Sequence, residues 1–432
     1  MTKGIKYSIA IAALVSTIFV APQAFAAPST EVSCYEGLCV ASAEVVCNNG
    51  WVFDSVTPPS IEVKLTSQGV SQGTIKVNVR RDTKEQLLEI ERAYQIERGE
   101  QIIKIALDLD PGFYIVDVAH NGQYISHFNI GYEPTRIISE VDSQSDFEAF
   151  WQAAIDELAT VAPKYKMVKI KEKSTQYRDL YLVSMRSLDG ALVQGHVAIP
   201  TDKSKRYPAY INYMGYGADP WIPGTDYATD RIDFVVSVRG QGLNKPTNSY
   251  GDWIVWGLSS REEYYYRGAF MDLIRAVDFI EQLPQCDARN IFADGASQGG
   301  AFTLVAASLD HRFAAVAPAV PFLSDYPDYF RIVDWPGNAI IPAQWRLEIS
   351  DEELYTTLSY FDVKNFTHMI ACPVIMYAGL QDPVCPPHTN FAGYNHITTH
   401  KEYYVAPTGT HDVEQEVWNP QRDAFFEIFT TK

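Results

Sequence analysis

Asn290-Ile291-Phe292-Ala293-Asp294-Gly295-Ala296-Ser297-Gln298-Gly299-Gly300 is the stretch whose reading decides the fold. Residues 290–293 form a short apolar run of strand type, residues 295–299 spell G-x-S-x-G, and residues 301–309 are helix-prone. A serine on a sharp turn between a strand and a helix is held above the edge of a sheet with its hydroxyl accessible. Such a turn forces an unfavourable backbone at Ser297, and a side chain at position 295 or 299 would collide with neighbouring backbone. The turn also sets the N–H of Gln298 beside the serine oxygen, at the start of a helix whose dipole favours negative charge.

A serine hydroxyl is a weak nucleophile until a base removes its proton, and that base needs a carboxylate to hold its tautomer. In this setting the carboxylate and then the histidine follow the serine along the chain. Around the elbow, strands expected at residues 166–170, 180–185, 193–199, 209–213, 234–238, 313–317, 374–377 and 403–405 alternate with helices at 143–158, 263–283 and 413–429. That alternation predicts an α/β fold with a doubly wound, mainly parallel sheet, whose ligands bind beyond the carboxyl ends of the strands. Ser145 is expected to cap the first helix, and the helix at 263–283 to bury one face through Phe270, Leu273, Ile274, Val277 and Ile280. Asp382 stands just past the strand at 374–377. Of His388, His396, His400 and His411, only His411 falls in a loop between a core strand and the last helix. The expected roles are Ser297 as nucleophile, His411 as general base and later acid, and Asp382 as the group that orients His411. The loop Tyr213-Met214-Gly215-Tyr216-Gly217 offers the N–H of Tyr216 as a second oxyanion donor beside that of Gln298. Arg239-Gly240-Gln241-Gly242 reads as scaffolding, with a buried Arg239 tying loops together.

The 432 residues exceed one small domain, and 47% hydrophobic content supports packed cores. A net charge of -18 argues against nucleic acid or an anionic membrane as the main partner. Lys3 and Lys6 precede an apolar run at 9–20, and Ala24-Phe25-Ala26 fits a cleavage site, so residues 1–26 read as a signal peptide. The run is short for a membrane span, and a secreted or periplasmic protein with no membrane attachment is expected. Cys34, Cys39 and Cys47 leave three pairings open for one disulfide, while Cys286, Cys372 and Cys385 read as buried thiols. The spacings match no zinc pattern, and the chemistry calls for no metal or cofactor. Residues 61–65 and 75–79 alternate apolar and polar, segments at 102–107, 113–118 and 124–130 continue the pattern, and Asn121-Gly122 signals a hairpin. A small immunoglobulin-like sandwich is expected there, with residues 131–134 as the linker. The expected organisation is therefore a signal peptide at 1–26, an N-terminal β-sandwich domain at 27–132 and a catalytic α/β domain at 133–432.

Taken together, these residues resemble the acetyl xylan esterase and cephalosporin-C deacetylase family, carbohydrate esterase family seven of the α/β-hydrolase superfamily. Its marks R-G-Q, G-x-S-Q-G and H-E stand here as Arg239-Gly240-Gln241, Gly295-Ala296-Ser297-Gln298-Gly299 and His411-Asp412. Tyr264-Tyr265-Tyr266-Arg267, Thr357-Leu358-Ser359-Tyr360-Phe361-Asp362 and Asp382-Pro383-Val384-Cys385-Pro386-Pro387 read like the family as well. The resemblance spans residue 143 to the C-terminus. It implies a serine esterase that removes acetyl groups from small carbohydrate substrates through an acetyl-enzyme, with Ser297, Asp382 and His411 as its triad and the N–H groups of Tyr216 and Gln298 as its oxyanion hole. It also implies a homo-oligomer whose sites face an inner cavity, although the β-rich N-terminal region lies outside the usual family domain. Two positions depart from the pattern: Asp412 stands where the family carries Glu as a supporting carboxylate, and Met214 stands where it usually has His. Two other readings stay open. One is a serine peptidase of the prolyl oligopeptidase kind, whose N-terminal β domain is commonly a much longer propeller; the other is a carbohydrate-binding protein on an inactive hydrolase fold.

Overall fold

Residues 34–35 and 38–431 are described by the computed structural model; the expected signal peptide at 1–26 lies outside them. The first elements are strands: β1 (Cys34–Tyr35), β2 (Leu38–Cys39), β3 (Ser42–Val46), β4 (Val52–Phe53), β5 (Ser60–Ser67), β6 (Ser71–Arg81), β7 (Gln86–Ile96), β8 (Gly99–Ala106), β9 (Gly112–His120) and β10 (Gln123–Tyr132). They make one sheet in the order β4-β10-β9-β6-β7 and another in the order β3-β5-β8, beside the small β1-β2 pair. The period-two pattern explains the pairing of layers. Ile61, Val63 and Leu65 of β5 meet Ile75, Val77 and Val79 of β6 and Val116 and Val118 of β9 in one apolar core, as two sheets face to face require. Phe53 and Tyr114 are buried in that core.

Strand β7 was not expected. Its sequence carries Glu89, Glu91 and Arg92 among apolar residues, and it lies at the sheet edge. Charge on an edge strand discourages pairing with other chains and hides the apolar alternation. Gly131 and Tyr132, read as linker, are instead the end of β10, paired in parallel with Val52 and Phe53; the chain leaves the sheet at Glu133, whose backbone is left-handed (φ 43°). Cys34 and Cys39 are in register across β1 and β2. Cys39 is disulfide-bonded, whereas Cys47 is free, as are the buried Cys286, Cys372 and Cys385. Burial pushes the thiols of Cys286 and Cys372 up to about 12, so they are inert packing groups.

The rest of the chain builds a large sheet from β11 (Lys166–Lys169), β12 (Arg178–Arg186), β13 (Leu192–Pro200), β14 (Tyr207–Tyr213), β15 (Ile232–Ser237), β16 (Cys286–Ala296), β17 (Phe313–Ala319), β18 (Val374–Gly379) and β19 (Lys401–Ala406). Their order is β11-β12-β13-β15-β14-β16-β17-β18-β19. Pairing is antiparallel from β11 to β15 and parallel from β15 onward. The helices are α1 (Phe147–Thr160), α2 (Tyr265–Glu281), α3 (Gln298–Leu309), α4 (Tyr326–Ile332), α5 (Gly337–Leu347), α6 (Asp351–Ser359), α7 (Pro387–Asn395) and α8 (Gln415–Ile428). This is the doubly wound α/β-hydrolase architecture preceded by an all-β region.

Two helix expectations are corrected. The residue before α1 is Asp146, not Ser145, and no side chain caps that helix; Asp146 is engaged by Arg261 at 2.8 Å instead. Helix α2 is buried far beyond the single apolar face expected, including Asp272 and Arg275. Those charges are tolerated because Asp272 pairs with Arg239 and Arg275 donates to the carbonyls of Leu158 and Val161. Among the described residues no helix is long and apolar enough to cross a membrane.

Candidate active site

Strand β16 ends at Ala296 and α3 begins at Gln298, so Ser297 alone makes the turn, at φ 60° and ψ -122°. A non-glycine residue so placed stores about 1–3 kcal/mol of strain. The neighbouring glycines explain how the turn fits. A Cβ on Gly295 would stand 2.5 Å from the Gly299 carbonyl oxygen, one on Gly299 2.0 Å from that of Tyr213, and one on Gly300 2.5 Å from that of Ala319. The turn is anchored on both sides, because Ser297 N–H donates to Ala319 O at 3.0 Å and Phe322 N–H donates to Ser297 O at 3.1 Å.

Asp382 emerges past the carboxyl end of β18, and His411 lies between β19 and α8. His411 Nδ1–H donates to Asp382 Oδ2 at 2.9 Å, while Oδ1 accepts from the N–H groups of Val384 at 2.7 Å and Cys385 at 2.9 Å. The carboxylate is only 2% exposed and is held in a single orientation by these bonds. With its proton on Nδ1, the imidazole is left with a basic Nε2. Burial opposes a charge on His411, but Asp382 and Cys385 together outweigh it and raise the imidazole above its ordinary range. Ser297 and His411 line one cavity of about 690 Å³. Among the described residues Ser297 Oγ makes no hydrogen bond.

On the other flank, the N–H groups of Tyr216 and Gln298 have no partner among the described residues. Their loops are positioned by a buried amide pair: Gln241 Nε2 donates to Gln298 Oε1 at 3.2 Å, and Gln298 Nε2 donates to Gln241 Oε1 at 3.1 Å. Gln241 Oε1 also accepts from Gly217 N–H at 2.9 Å, next to Tyr216. Tyr265 and Tyr266 complete the network through Gln241 Nε2 and Gln298 Oε1. Arg239 is buried and grips Asp272 by three side-chain bonds of 2.7–3.2 Å. A Cβ on Gly268 would fall 1.9 Å from its Nη1, which is why a glycine stands there. The Tyr216 ring meets Trp253 and Trp335 edge-on. Met214 sulfur accepts from Ser237 Oγ at 3.3 Å. Asp412 lines the cavity but is exposed and makes no side-chain hydrogen bond among the described residues.

Sequence reasoning missed a second group of contacts. Gln381, next to Asp382, accepts from Asn129 N–H at 2.7 Å and donates to Asn129 O at 3.1 Å and to Pro407 O at 2.8 Å. Asn129 Nδ2 donates to Leu380 O at 3.0 Å. One side-chain amide thus joins β10, the Asp382 loop and the His411 loop. Nearby, His388 Nδ1–H donates to Asp82 Oδ2 at 2.7 Å, with Asp325 and Asp328 within 3.8 Å of Nε2. Asp325, Asp328 and His388 are the one group among the described residues that brings potential metal-ligand atoms together; they do not line the Ser297 cavity.

The sequence matches the acetyl xylan esterase (AXE1) family over residues 135–428. The chain is 28% identical over 331 residues to the acetyl esterase Axe7A of Xylanibacter ruminicola, covering 73% of this chain and 74% of that one. Among solved structures, it is similar to the acetyl xylan esterase from Paenibacillus sp. R4, with a TM-score of 0.64, 27% identity, and coverage of 69% of this chain and 99% of the other. Acetyl xylan esterase 1 from Thermoanaerobacterium sp. JW/SL YS485 follows at a TM-score of 0.62 and 26% identity, covering 69% and 98%. With the match spanning most of the chain, this protein belongs to the acetyl xylan esterase family and is a carboxylic ester hydrolase that acts on acetyl esters.

Proposed function

We propose that the chain is a serine esterase that removes acetyl groups from carbohydrate esters through an acetyl-enzyme. The carrying observation is the hydrogen-bonded Asp382 and His411 pair whose imidazole shares one cavity with the strained Ser297. Ser297 Oγ attacks the acetyl carbonyl carbon as His411 Nε2 takes its proton. The carbonyl oxygen becomes an oxyanion between the N–H groups of Tyr216 and Gln298. When the tetrahedral intermediate collapses, the bond to the sugar oxygen breaks and His411 returns the proton to it. Water, deprotonated by His411, then attacks the acetyl-enzyme, and acetate leaves with Ser297 regenerated. Asp382 holds the imidazole in the required tautomer and stabilises the imidazolium formed in each half. Arg239 and Gln241 support the oxyanion loop, and Asp412 contributes a carboxylate at the cavity wall.

The same reading keeps residues 133–432 as the hydrolytic unit and 27–132 as a β-rich support for it. It includes export and assembly into a homo-oligomer, the first resting on the sequence of residues 1–26 and the second on the family. Membership in an esterase family weighs against the peptidase alternative. Replacing Ser297 with Ala is expected to lower p-nitrophenyl acetate turnover by at least roughly 10³-fold, with the circular dichroism spectrum unchanged. Turnover retained in a folded Ser297→Ala protein would sink the assignment.

A further inference from the structure

The crossover between the parallel neighbours β14 and β15, residues 214–231, contains no helix. Parallel strands in such a fold are usually joined by a helix that covers the sheet, and their faces are correspondingly apolar. Here the two faces differ. Ala209, Ile211, Ile232, Phe234 and Val236 are buried, and of these Phe234 alone reaches the Ser297 cavity, whereas Tyr210, Asn212, Asp233 and the apolar Val235, which alternate with them, all line it. Asp294 of β16 is paired with Asn212 in register and lines it too. A floor in which amide, carboxylate and phenol groups outnumber the one valine, Val235, is not the apolar face on which a covering helix packs. It is one built to face water or a polar ligand.

The walls are ordered. On one side runs the crossover, fastened to the sheet by the fully buried Arg178, whose Nη1 donates to Gly224 O at 2.7 Å, and by His196 Nδ1–H, which donates to Trp221 O at 3.3 Å. On the other side stands α8, with Trp418, Asn419 and Arg422. The cavity's two arginines are already matched, Arg422 with Asp294 at 2.6 Å and Arg231 with Asp233 at 2.9 Å, as His411 is with Asp382. No uncompensated cation invites an anionic ligand. Two aromatic rings on the crossover wall, Trp221 at 47% and Tyr227 at 49% exposure, offer flat apolar faces. Hydroxyl-matching groups beside aromatic faces, with charge internally balanced, suit a neutral sugar chain.

Resting on the proposed esterase reading, we infer that this cleft is a glycan subsite: the sugars beyond the acetylated one lie along the polar sheet face, between the helix-free crossover and α8, against Trp221 and Tyr227. The test compares wild type and a Trp221→Ala/Tyr227→Ala variant on acetylated xylo-oligosaccharides and on p-nitrophenyl acetate. The ratio of the two kcat/KM values is expected to fall roughly tenfold in the variant, and Trp221→Phe, which keeps a flat ring, is expected to restore most of it. Deacetylated xylo-oligosaccharides are expected to inhibit p-nitrophenyl acetate hydrolysis competitively in wild type and not in the double variant. A ratio that stays within about twofold of wild type overturns the subsite, as does a lack of inhibition in wild type. Failure of the serine mechanism would show differently, as activity surviving in Ser297→Ala, and would leave this ratio readable.

Discussion

On one flank of Ser297, Gln241, Gln298, Tyr265, Tyr266, Arg239 and Asp272 close a buried network whose members all come from the α/β sheet and its own helices. On the other flank, the Asp382 and His411 loops are tied by Gln381 to Asn129, 252 residues away in the chain, and α7 is tied by His388 to Asp82 in the turn after β6. The Gln241 and Gln298 side is thus supported from within the fold, and the Asp382 and His411 side leans on the N-terminal β region. The lesson is that the β region bears on the Asp382 loop without lining the Ser297 cavity with any side chain. Removing it would loosen one half of the site and spare the other.

The internal support carries the larger effects. Arg239→Ala leaves the buried Asp272 without its cation and only the backbone N–H of residue 239 as a partner from that loop, which is expected to destabilise the fold by about 3–5 kcal/mol, read from denaturant unfolding. A loss below about 1 kcal/mol would mean the pair is not the keystone of that flank. Gln241→Ala strips the acceptor from Gly217 N–H and the partner from Gln298, and kcat on p-nitrophenyl acetate is expected to fall roughly 10²-fold with KM little changed.

The external support is weaker and depends on pH. Burial lowers the tendency of His388 to charge, but Asp82, Asp325 and Asp328 raise it to about 8. A histidine raised from its free value of about 6.5 contributes stability that is complete below about pH 6.5 and lost as pH rises through about 8, worth about 2 kcal/mol here. Unfolding measured between these pH values should show that loss in wild type and not in His388→Gln; equal slopes would remove His388 from the contact. Gln381→Ala is expected to lower kcat roughly tenfold by loosening the Asp382 and His411 loops. If it costs as much as Gln241→Ala, the two flanks are equally dependent and the contrast fails.

Legibility followed the range of the interactions. The elbow could be read because strand, Gly-x-Ser-x-Gly and helix are contiguous, and the steric demands on Gly295 and Gly299 are local. The parallel sheet and the β-rich start were legible from periodicity, except where charge on an edge masked β7. Arg239 and Gln241 could be read as scaffolding from their motif, although their partners Asp272 and Gln298 could not be named. Nothing local to Gln381 or His388 marks them, since a polar residue in a loop is ordinarily just solvated.

By itself, the sequence determined the turn at Ser297, the alternation of strands and helices, and the order in which serine, carboxylate and histidine occur, because each of these is read from short stretches of chain taken one at a time. Tertiary structure alone decided which side chains brace the Asp382 loop and that the crossover after β14 leaves a polar sheet face open beside Ser297. Those outcomes depend on contacts between segments up to 252 residues apart, and on packing that no single stretch of chain can specify.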